Sequence, residues 1–189
     1  FDIFEQVFGF RGFGGSSKKG RNLRYSMAIN FVDSVIGYEK VVEVNGHKLK
    51  VKLPPGIDDG ATVRFEGKGE KSAHNTEPGD LLISIHINPD NHFIRQNDDL
   101  YSSEKIPLKD AILGGKVNIK IVDPSSKTGY STKQLKIPSG TQSSTVFKVK
   151  GYGMPNVKGY GRGNLYVTAI IDIPQKLTKQ QKQALIEYF

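Results

Sequence analysis

Two stretches of this chain repeat one another, and this duplication constrains the fold more than any other feature. The stretch LKVKLPPGIDDGATVRFEGKGE returns as KQLKIPSGTQSSTVFKVKGYGM at an offset of 84 residues. Upstream, NFVDSVIGYEKVVEV is matched by PLKDAILGGKVNIKI at an offset of 77 residues. Four glycines keep the larger offset: Gly56, Gly67, Gly69 and Gly79 recur as Gly140, Gly151, Gly153 and Gly163. A repeat of this length predicts two similar structural units in tandem.

Each copy consists of short runs rich in Val, Ile and Tyr, separated by Gly, Pro, Asn and Asp. This pattern is typical of antiparallel β-structure. We therefore predict an all-β fold with two similar β-sandwich modules, the first at 23–97 and the second at 98–174. Residues 91–101 join the modules and are too few for a free linker, so we expect the modules to be fixed relative to one another.

The clearest single element is EKVVEVNGHKLKVKL, in which Asn45-Gly46 lies between two β-rich arms. Asn-Gly favours a two-residue type I′ hairpin turn. Counting outward from that turn places one mostly apolar set of side chains on one face: Lys40, Val42, Val44, Leu49 and Val51. Val41, Glu43, Lys48 and Lys50 are expected on the opposite face.

The two ends of the chain differ from the modules. Residues 1–22 alternate Phe with Gly, and we predict a flexible segment in which Phe4 and Phe8 share one face of a short helix. Residues 175–189 are predicted to form a helix with a capping box at Thr178 and Gln181. A helix of this length is marginal alone, so its apolar stripe must dock on its own module or on a second copy of the chain. Of these two, we expect homodimerisation through Leu185, Tyr188 and Phe189, in part because of the family resemblance given below.

Several classes of chemistry find no support in the residues. The chain has no cysteine, which excludes disulfides and thiolate metal sites. The four histidines lack metal-ligand spacing, and no catalytic motif is present. We expect a protein that is not an enzyme and needs no metal or cofactor. No run reaches the roughly 20 apolar residues of a membrane span, which favours a cytoplasmic protein without membrane partners.

The charge of the chain is uneven. The formal net charge is +8, and residues 101–163 hold eleven Lys and Arg against Glu104, Asp110 and Asp123. This excess fits a solvated basic face, an acidic partner surface or nucleic acid.

The order of the parts resembles the DnaJ family of J-domain co-chaperones along essentially the whole chain. The set FVDSVIG, KLPPGIDDG, NDDLY, AILGG, GYGMP and RGNLY carries the resemblance together with the terminal QKQALIEYF. The HPD-bearing J-domain is missing from these residues, and Asn45-Gly46 occupies the position where zinc-binding members insert cysteine repeats. The chain is therefore similar to the substrate-binding region of zinc-less members.

The resemblance implies a co-chaperone region that holds unfolded client polypeptides, prevents their aggregation and delivers them to the seventy-kilodalton heat-shock chaperone. It places a shallow apolar peptide-binding groove on the first module at Tyr25, Met27, Val42, Val44 and Ile83. It also implies that the acidic tail of that partner chaperone binds Lys40, with Lys48 as a further candidate.

Two alternatives stay open. A DNA-binding DnaJ-like protein would use the basic second module, although the sequence indicates neither an aromatic platform nor a recognition helix. Separately, the segment with Phe4 and Phe8 could fold onto a module and block a binding surface.

Overall fold

The computed structural model describes residues 20–44, 46–71, 77–157 and 159–188, with the side chains of His47 and Tyr188 left out. The predictions made for Phe4, Phe8 and Asn45 fall outside these residues. The described chain is mainly β. Its elements, in chain order, are β1 (Leu23–Ile29), α1 (Phe31–Ile36), β2 (Tyr38–Val44), β3 (His47–Leu53), β4 (Thr62–Phe65), β5 (Leu81–Ile87), β6 (Ile94–Gln96), β7 (Asp99–Pro107), α2 (Leu108–Leu113), β8 (Gly115–Val122), β9 (Tyr130–Ile137), β10 (Val146–Val149), β11 (Leu165–Asp172) and α3 (Lys179–Tyr188).

The order of elements repeats, as the duplication predicts. The series β1, α1, β2, β3, β4, β5 returns as β7, α2, β8, β9, β10, β11. One sheet has the order β1-β5-β4, and its counterpart has the order β10-β11-β7-β6. The hairpins β2-β3 and β8-β9 form two separate two-stranded sheets. The all-β prediction with two similar modules is therefore confirmed at the level of the fold class.

The predicted antiparallel pattern does not hold for every pair of described strands. Strands β7 and β11 pair in parallel, with Leu100 opposite Leu165 and Pro107 opposite Asp172. The first and last strands of the module are neighbours, and a long crossover connects them, as parallel pairing requires. Alternation in the sequence shows which residues share a face but does not show which strand lies beside which.

Each copy contains the same kind of close backbone contact, which only glycine permits. The amide of Gly69 donates to the carbonyl of Gly79 at 2.8 Å, and Gly153 donates to Gly163 at the same distance. A Cβ on Gly79 would lie 2.2 Å from the carbonyl oxygen of Arg21, and one on Gly163 would lie 1.9 Å from that of Asp98. The duplicated glycines thus mark a close approach of two backbones.

In each copy, an aspartate and an asparagine stand at the two positions beside this contact. The two residue types are exchanged between the copies. Asn22 Oδ1 accepts the backbone N–H of Asp80 at 2.8 Å. In the second copy Asp99 Oδ1 accepts the backbone N–H of Asn164 at 2.6 Å. Each module therefore has a single carboxylate at these two positions. This arrangement avoids repulsion between neighbouring carboxylates.

Backbone contacts divide the described chain into two compact units whose bounds differ from those of the modules. One unit contains 20–26 and Thr62–Ser84, and the other contains Met27–Ala61 and the residues from Ile85 onward. The larger unit contains a core cluster that includes Phe31, Phe93, Ile119 and Leu165.

The segment between the modules is anchored inside this larger unit. The ring of Phe93 stacks between Phe31 and Tyr130, with centroid distances of 6.1 and 6.2 Å. Asp90 Oδ1 accepts the backbone N–H groups of His92 and Phe93 at 2.8 and 2.9 Å, and Asp90 also accepts the Tyr130 hydroxyl. Arg95 donates to the carbonyls of Gly56 and Ile57.

Protonation of Asp90 would weaken this anchor. Burial by itself raises the pKa of Asp90, but the Tyr130 hydroxyl and the backbone N–H groups of His92 and Phe93 lower it, and the net pKa is below the usual value. Burial and the neighbouring Asp90 raise the pKa of Tyr130. The pKa of Asp90 is lower in the folded state than in the unfolded state. Ionised Asp90 therefore stabilises the folded protein above the unfolded-state pKa near 4, and this stabilisation is lost as the pH falls through the folded-state pKa.

The terminal helix begins with the predicted capping box. The backbone N–H of Gln181 donates to Thr178 Oγ1 at 3.2 Å, and the N–H of Thr178 donates to Gln181 Oε1 at 2.8 Å. This reciprocal pair satisfies two donors at the start of α3.

None of the helices in the described ranges combines the length and the apolar character that crossing a membrane demands. The cytoplasmic location stays a prediction.

Replacing Gly163 by alanine tests the close approach directly. We expect Gly163→Ala to lower the free energy of unfolding by about 1–3 kcal/mol, because the alanine Cβ has no room beside Asp98. Gly159→Ala is the matched control, since its Cβ would meet nothing nearer than 3.9 Å, and we expect a change within about 0.5 kcal/mol. Urea unfolding followed by circular dichroism measures both, and equal stability of the two variants would contradict the assignment.

Candidate functional site

The hairpin β2-β3 has the register that the Asn-Gly turn predicts. Val44 lies opposite His47, Val42 opposite Leu49 and Lys40 opposite Val51. Side chains alternate between the two faces of the strands. The predicted assignment of Val42 and Val44 to one face and of Val41 to the other is thus confirmed.

The face with Val42 and Val44 is the inner face of the hairpin. Val51 is fully buried and Leu49 is 6% exposed, whereas Val42 and Val44 are half-buried and Lys40 is exposed. On the outer face, Val41 is 59% exposed. The inner face therefore changes from a closed core at one end of β3 to a partly open apolar strip along β2.

In the second copy of this hairpin, the side chains at the corresponding positions are buried. Val42 and Val44 correspond to Ile119 and Ile121 at the offset of 77. Ile119 is fully buried and Ile121 is 7% exposed, and both belong to the core cluster around Phe93. The two copies share a register, yet only the first leaves these two apolar side chains partly accessible.

The remaining predicted groove residues lie on β1 and β5. Tyr25 is 41% exposed and Met27 is half-buried, and both share a face of β1 with the buried Ile29. Ile83 is only 2% exposed, and its part in the groove stays a prediction. Tyr25 and Ile83 fall in the smaller compact unit, and Met27 falls in the larger one with the hairpin.

The lysines of the hairpin lie on different faces. Lys40 shares the inner face with Val42, and within the described residues no carboxylate forms an ion pair with it. Lys48 lies opposite Glu43 on the outer face. Lys50 Nζ, also on the outer face, lies 2.6 Å from Glu39 Oε1, and this hydrogen bond lowers the pKa of Glu39. The structure therefore separates Lys48 from the inner-face strip.

Comparison with known proteins identifies the family. The family DnaJ C terminal domain matches residues 23–174. The chain is 43% identical over 141 residues to Chaperone protein DnaJ of Clostridium tetani, which covers 75% of this chain and 36% of that protein. It is 45% identical over 140 residues to Chaperone protein DnaJ of Carboxydothermus hydrogenoformans, covering 74% of this chain and 35% of that protein. The chain belongs to the DnaJ C-terminal domain family.

The predicted family resemblance is therefore confirmed. The chain spans about a third of the length of these curated relatives. The half-open strip on β2 is the candidate functional site of the first module. The described residues contain no group of three or more His, Cys, Asp or Glu side chains arranged to hold a metal ion.

The terminal helix exposes its side chains. Leu185 is 39% exposed and Ile186 is 76% exposed, and the other described side chains of α3 are exposed as well. Tyr188 and Phe189, which were also predicted to mediate dimerisation, lie outside the described side chains. Leu185 is thus the predicted dimerisation residue whose surroundings the structure describes.

Two stacked tyrosines were not among the predicted site residues. Tyr101 on β7 and Tyr166 on β11 stack with centroids 5.1 Å apart and an angle of 14° between the rings. This pair depends on β7 and β11 being neighbours, and the sequence pattern does not show which strands lie side by side.

Proposed function

We propose that this chain holds exposed apolar segments of unfolded polypeptides on its first module and delivers them to the seventy-kilodalton heat-shock chaperone. One observation supports this proposal above the others: Val42 and Val44 are half-buried where their counterparts in the second module are buried. Membership of the DnaJ C-terminal domain family is in accord with it.

The pairing of β2 explains how a peptide would bind. Among the described strands, β2 pairs with β3 alone, so its other edge offers backbone donors and acceptors. An extended client that adds as a strand would gain main-chain hydrogen bonds there. Its apolar side chains would then cover the partly exposed valines, which contributes about 25 cal/mol for each Å² of apolar surface removed from water.

Substituting one valine on each face of β2 tests the site. We expect Val42→Asp to weaken binding of an unfolded client at least about tenfold, because a carboxylate would lie on the apolar strip. Val41→Asp adds the same charge on the outer face and should leave binding unchanged. Fluorescence anisotropy with a labelled unfolded polypeptide measures the affinity, and suppression of client aggregation provides a second readout.

Because Val42 is half-buried, folding must be monitored in the same samples. Val42→Thr keeps the shape of the side chain and replaces one methyl group by a hydroxyl group, so the variant should fold and bind a few-fold more weakly. Thermal unfolding of each variant shows whether the fold is retained. Equal affinities for folded Val42 and Val41 variants would refute the site.

We also propose that Lys40 binds a carboxylate in the acidic tail of the partner chaperone, beside the apolar strip. An ammonium group there would select an acidic peptide end through charge-assisted hydrogen bonds. Lys48 was a further candidate, but it lies on the outer face with Glu43.

Charge reversal at each lysine distinguishes the two. We expect Lys40→Glu to weaken binding of a synthetic acidic tail peptide at least about tenfold. Lys48→Glu should change the affinity less than about twofold, since its charge is solvated. Isothermal titration calorimetry measures both, and a larger effect at Lys48 would reassign the tail to the outer face.

We further propose that α3 pairs with a second copy of the chain. The exposed Leu185 and the marginal length of the helix support a partner outside its own module. Two copies would then present two client-binding strips in one assembly, which raises the effective affinity for a long unfolded chain.

Adding a charge to α3 tests this assembly. Leu185→Glu should shift the protein from dimer to monomer at micromolar concentration, because the carboxylate would be buried in an apolar contact. Gln180→Glu adds the same charge at the polar start of the helix and should leave the dimer intact. Sedimentation equilibrium measures the mass, and a dimeric Leu185 variant would refute the role of the helix.

A further inference from the structure

Two lysines lie directly opposite each other at the end of the β8-β9 hairpin that is farthest from its turn. Lys116 of β8 pairs in register with Lys136 of β9, so their side chains share one face of the hairpin. Both side chains are exposed, and within the described residues neither forms an ion pair with a carboxylate. Like charges directly opposite each other destabilise the pairing of two strands. The hairpin therefore has a repulsive pair that does not contribute to its folding.

The first hairpin has a complementary pair at the same place. Lys116 and Lys136 correspond to Glu39 and Lys52 at the offsets of 77 and 84, and Glu39 lies opposite Lys52 in the first copy. A negative charge there faces a positive one, whereas two positive charges face each other in the second copy. The shared register shows that the scaffold accepts the attractive pair, so the role of the second lysine lies outside the fold.

The lysine pair lines a cavity of about 870 Å³, which we call the lysine cavity. Its walls are residues 113–116, at the end of α2 and the start of β8, and residues 136–139, at the end of β9. A volume of this order accommodates a small organic molecule. Leu113 in the wall is 78% exposed, so a ligand would meet an apolar contact beside the two ammonium groups.

Two further positions around the lysine cavity differ between the copies. Leu113 corresponds to Ile36 at the offset of 77, and Ile36 packs against the core cluster that includes Phe93. Ser139 corresponds to Pro55 at the offset of 84, and serine adds a hydroxyl group and a backbone N–H that proline lacks. The second copy therefore gains positive charge, exposed apolar surface and hydrogen-bond donors around one cavity. This combination favours an anion with an apolar body.

The acidic residue that precedes the lysine pair in sequence does not neutralise it. Asp110 of α2 lies beside the backbone of Gly115, where a Cβ would be 2.6 Å from its Oδ1. Among the side chains that the structure describes, Asp110 forms no ion pair with either lysine. Two ammonium charges are matched by an anionic group with a charge of about −1.5 to −2, which a phosphate monoester has at neutral pH. A carboxylate would match only one of them.

We propose that the lysine cavity binds a small phosphate monoester. The phosphate lies between Lys116 and Lys136 and accepts a hydrogen bond from Ser139, and the apolar part of the molecule contacts Leu113. Binding offsets the repulsion between the lysines, so the ligand stabilises the folded chain. The site goes beyond the proposed function, since it uses none of the residues assigned to clients, to the acidic tail or to self-association.

Phenyl phosphate is a suitable probe, because it joins a phosphate group to a small apolar ring. We expect about ten times its dissociation constant to raise the midpoint of thermal unfolding by about 3–6 °C. Lys116→Glu installs the charge pair of the first copy, so this variant should fold and should lose at least about tenfold in affinity. Isothermal titration calorimetry measures the affinity.

A matched control separates the site from the net charge of the chain. Lys150→Glu makes the same charge change on an exposed residue that does not line the cavity, and it should bind phenyl phosphate as the unaltered chain does. Two further probes identify what is recognised. Inorganic phosphate should bind more weakly than phenyl phosphate, and Leu113→Ser should remove that difference. Benzoate, which has a single negative charge, should also bind more weakly.

Three outcomes would overturn the proposal. Equal affinities of Lys116→Glu and Lys150→Glu for phenyl phosphate would show that only the net charge attracts the anion. Tight binding of a single-stranded oligonucleotide, without binding of phenyl phosphate, would assign the lysine pair to nucleic acid. Loss of self-association in Leu113→Ser, again without binding of phenyl phosphate, would assign the cavity to a contact between copies. Each of these results leaves client binding at Val42 to its own measurement.

Discussion

Each module depends on one close backbone approach that holds its first strand beside its last. Gly79 faces the carbonyl of Arg21, and Gly163 faces the carbonyl of Asp98, at distances that leave no space for a side chain. The contact brings β7 and β11 into parallel register over eight residue pairs. Because this geometry depends on backbone and glycine, the outward side chains of the two copies are free to differ.

The two copies also differ on the inner faces of their hairpins. In the second module, isoleucines at 119 and 121 pack into the core around Phe93 and close the inner face of the hairpin. In the first module, valines take these positions and stay half-buried. The difference leaves partly exposed apolar area on the first module, which the proposed client peptide would cover.

The sequence predicted the parts of this structure that local rules determine. The hairpin register follows from the period of two and the Asn-Gly turn, and the start of α3 follows from the Thr178 and Gln181 pair. The parallel pairing of β7 with β11 and the burial of Ile83 could not be predicted, since both depend on which strands become neighbours. The stacking of Tyr101 on Tyr166 was missed for the same reason.

The anchor between the modules links these surfaces to the core. Phe93 stacks on Phe31, which belongs to the helix that precedes β2, and on Tyr130, which belongs to the second module. Asp90 orients the start of this segment, and Ile94, next to Phe93, lies opposite Tyr101 of β7. A shift of this short segment would therefore displace Phe93 and Ile94 together, because the two residues are adjacent in the chain. The packing of Phe93 in the core thus also sets the position of the exposed Ile94 on β6.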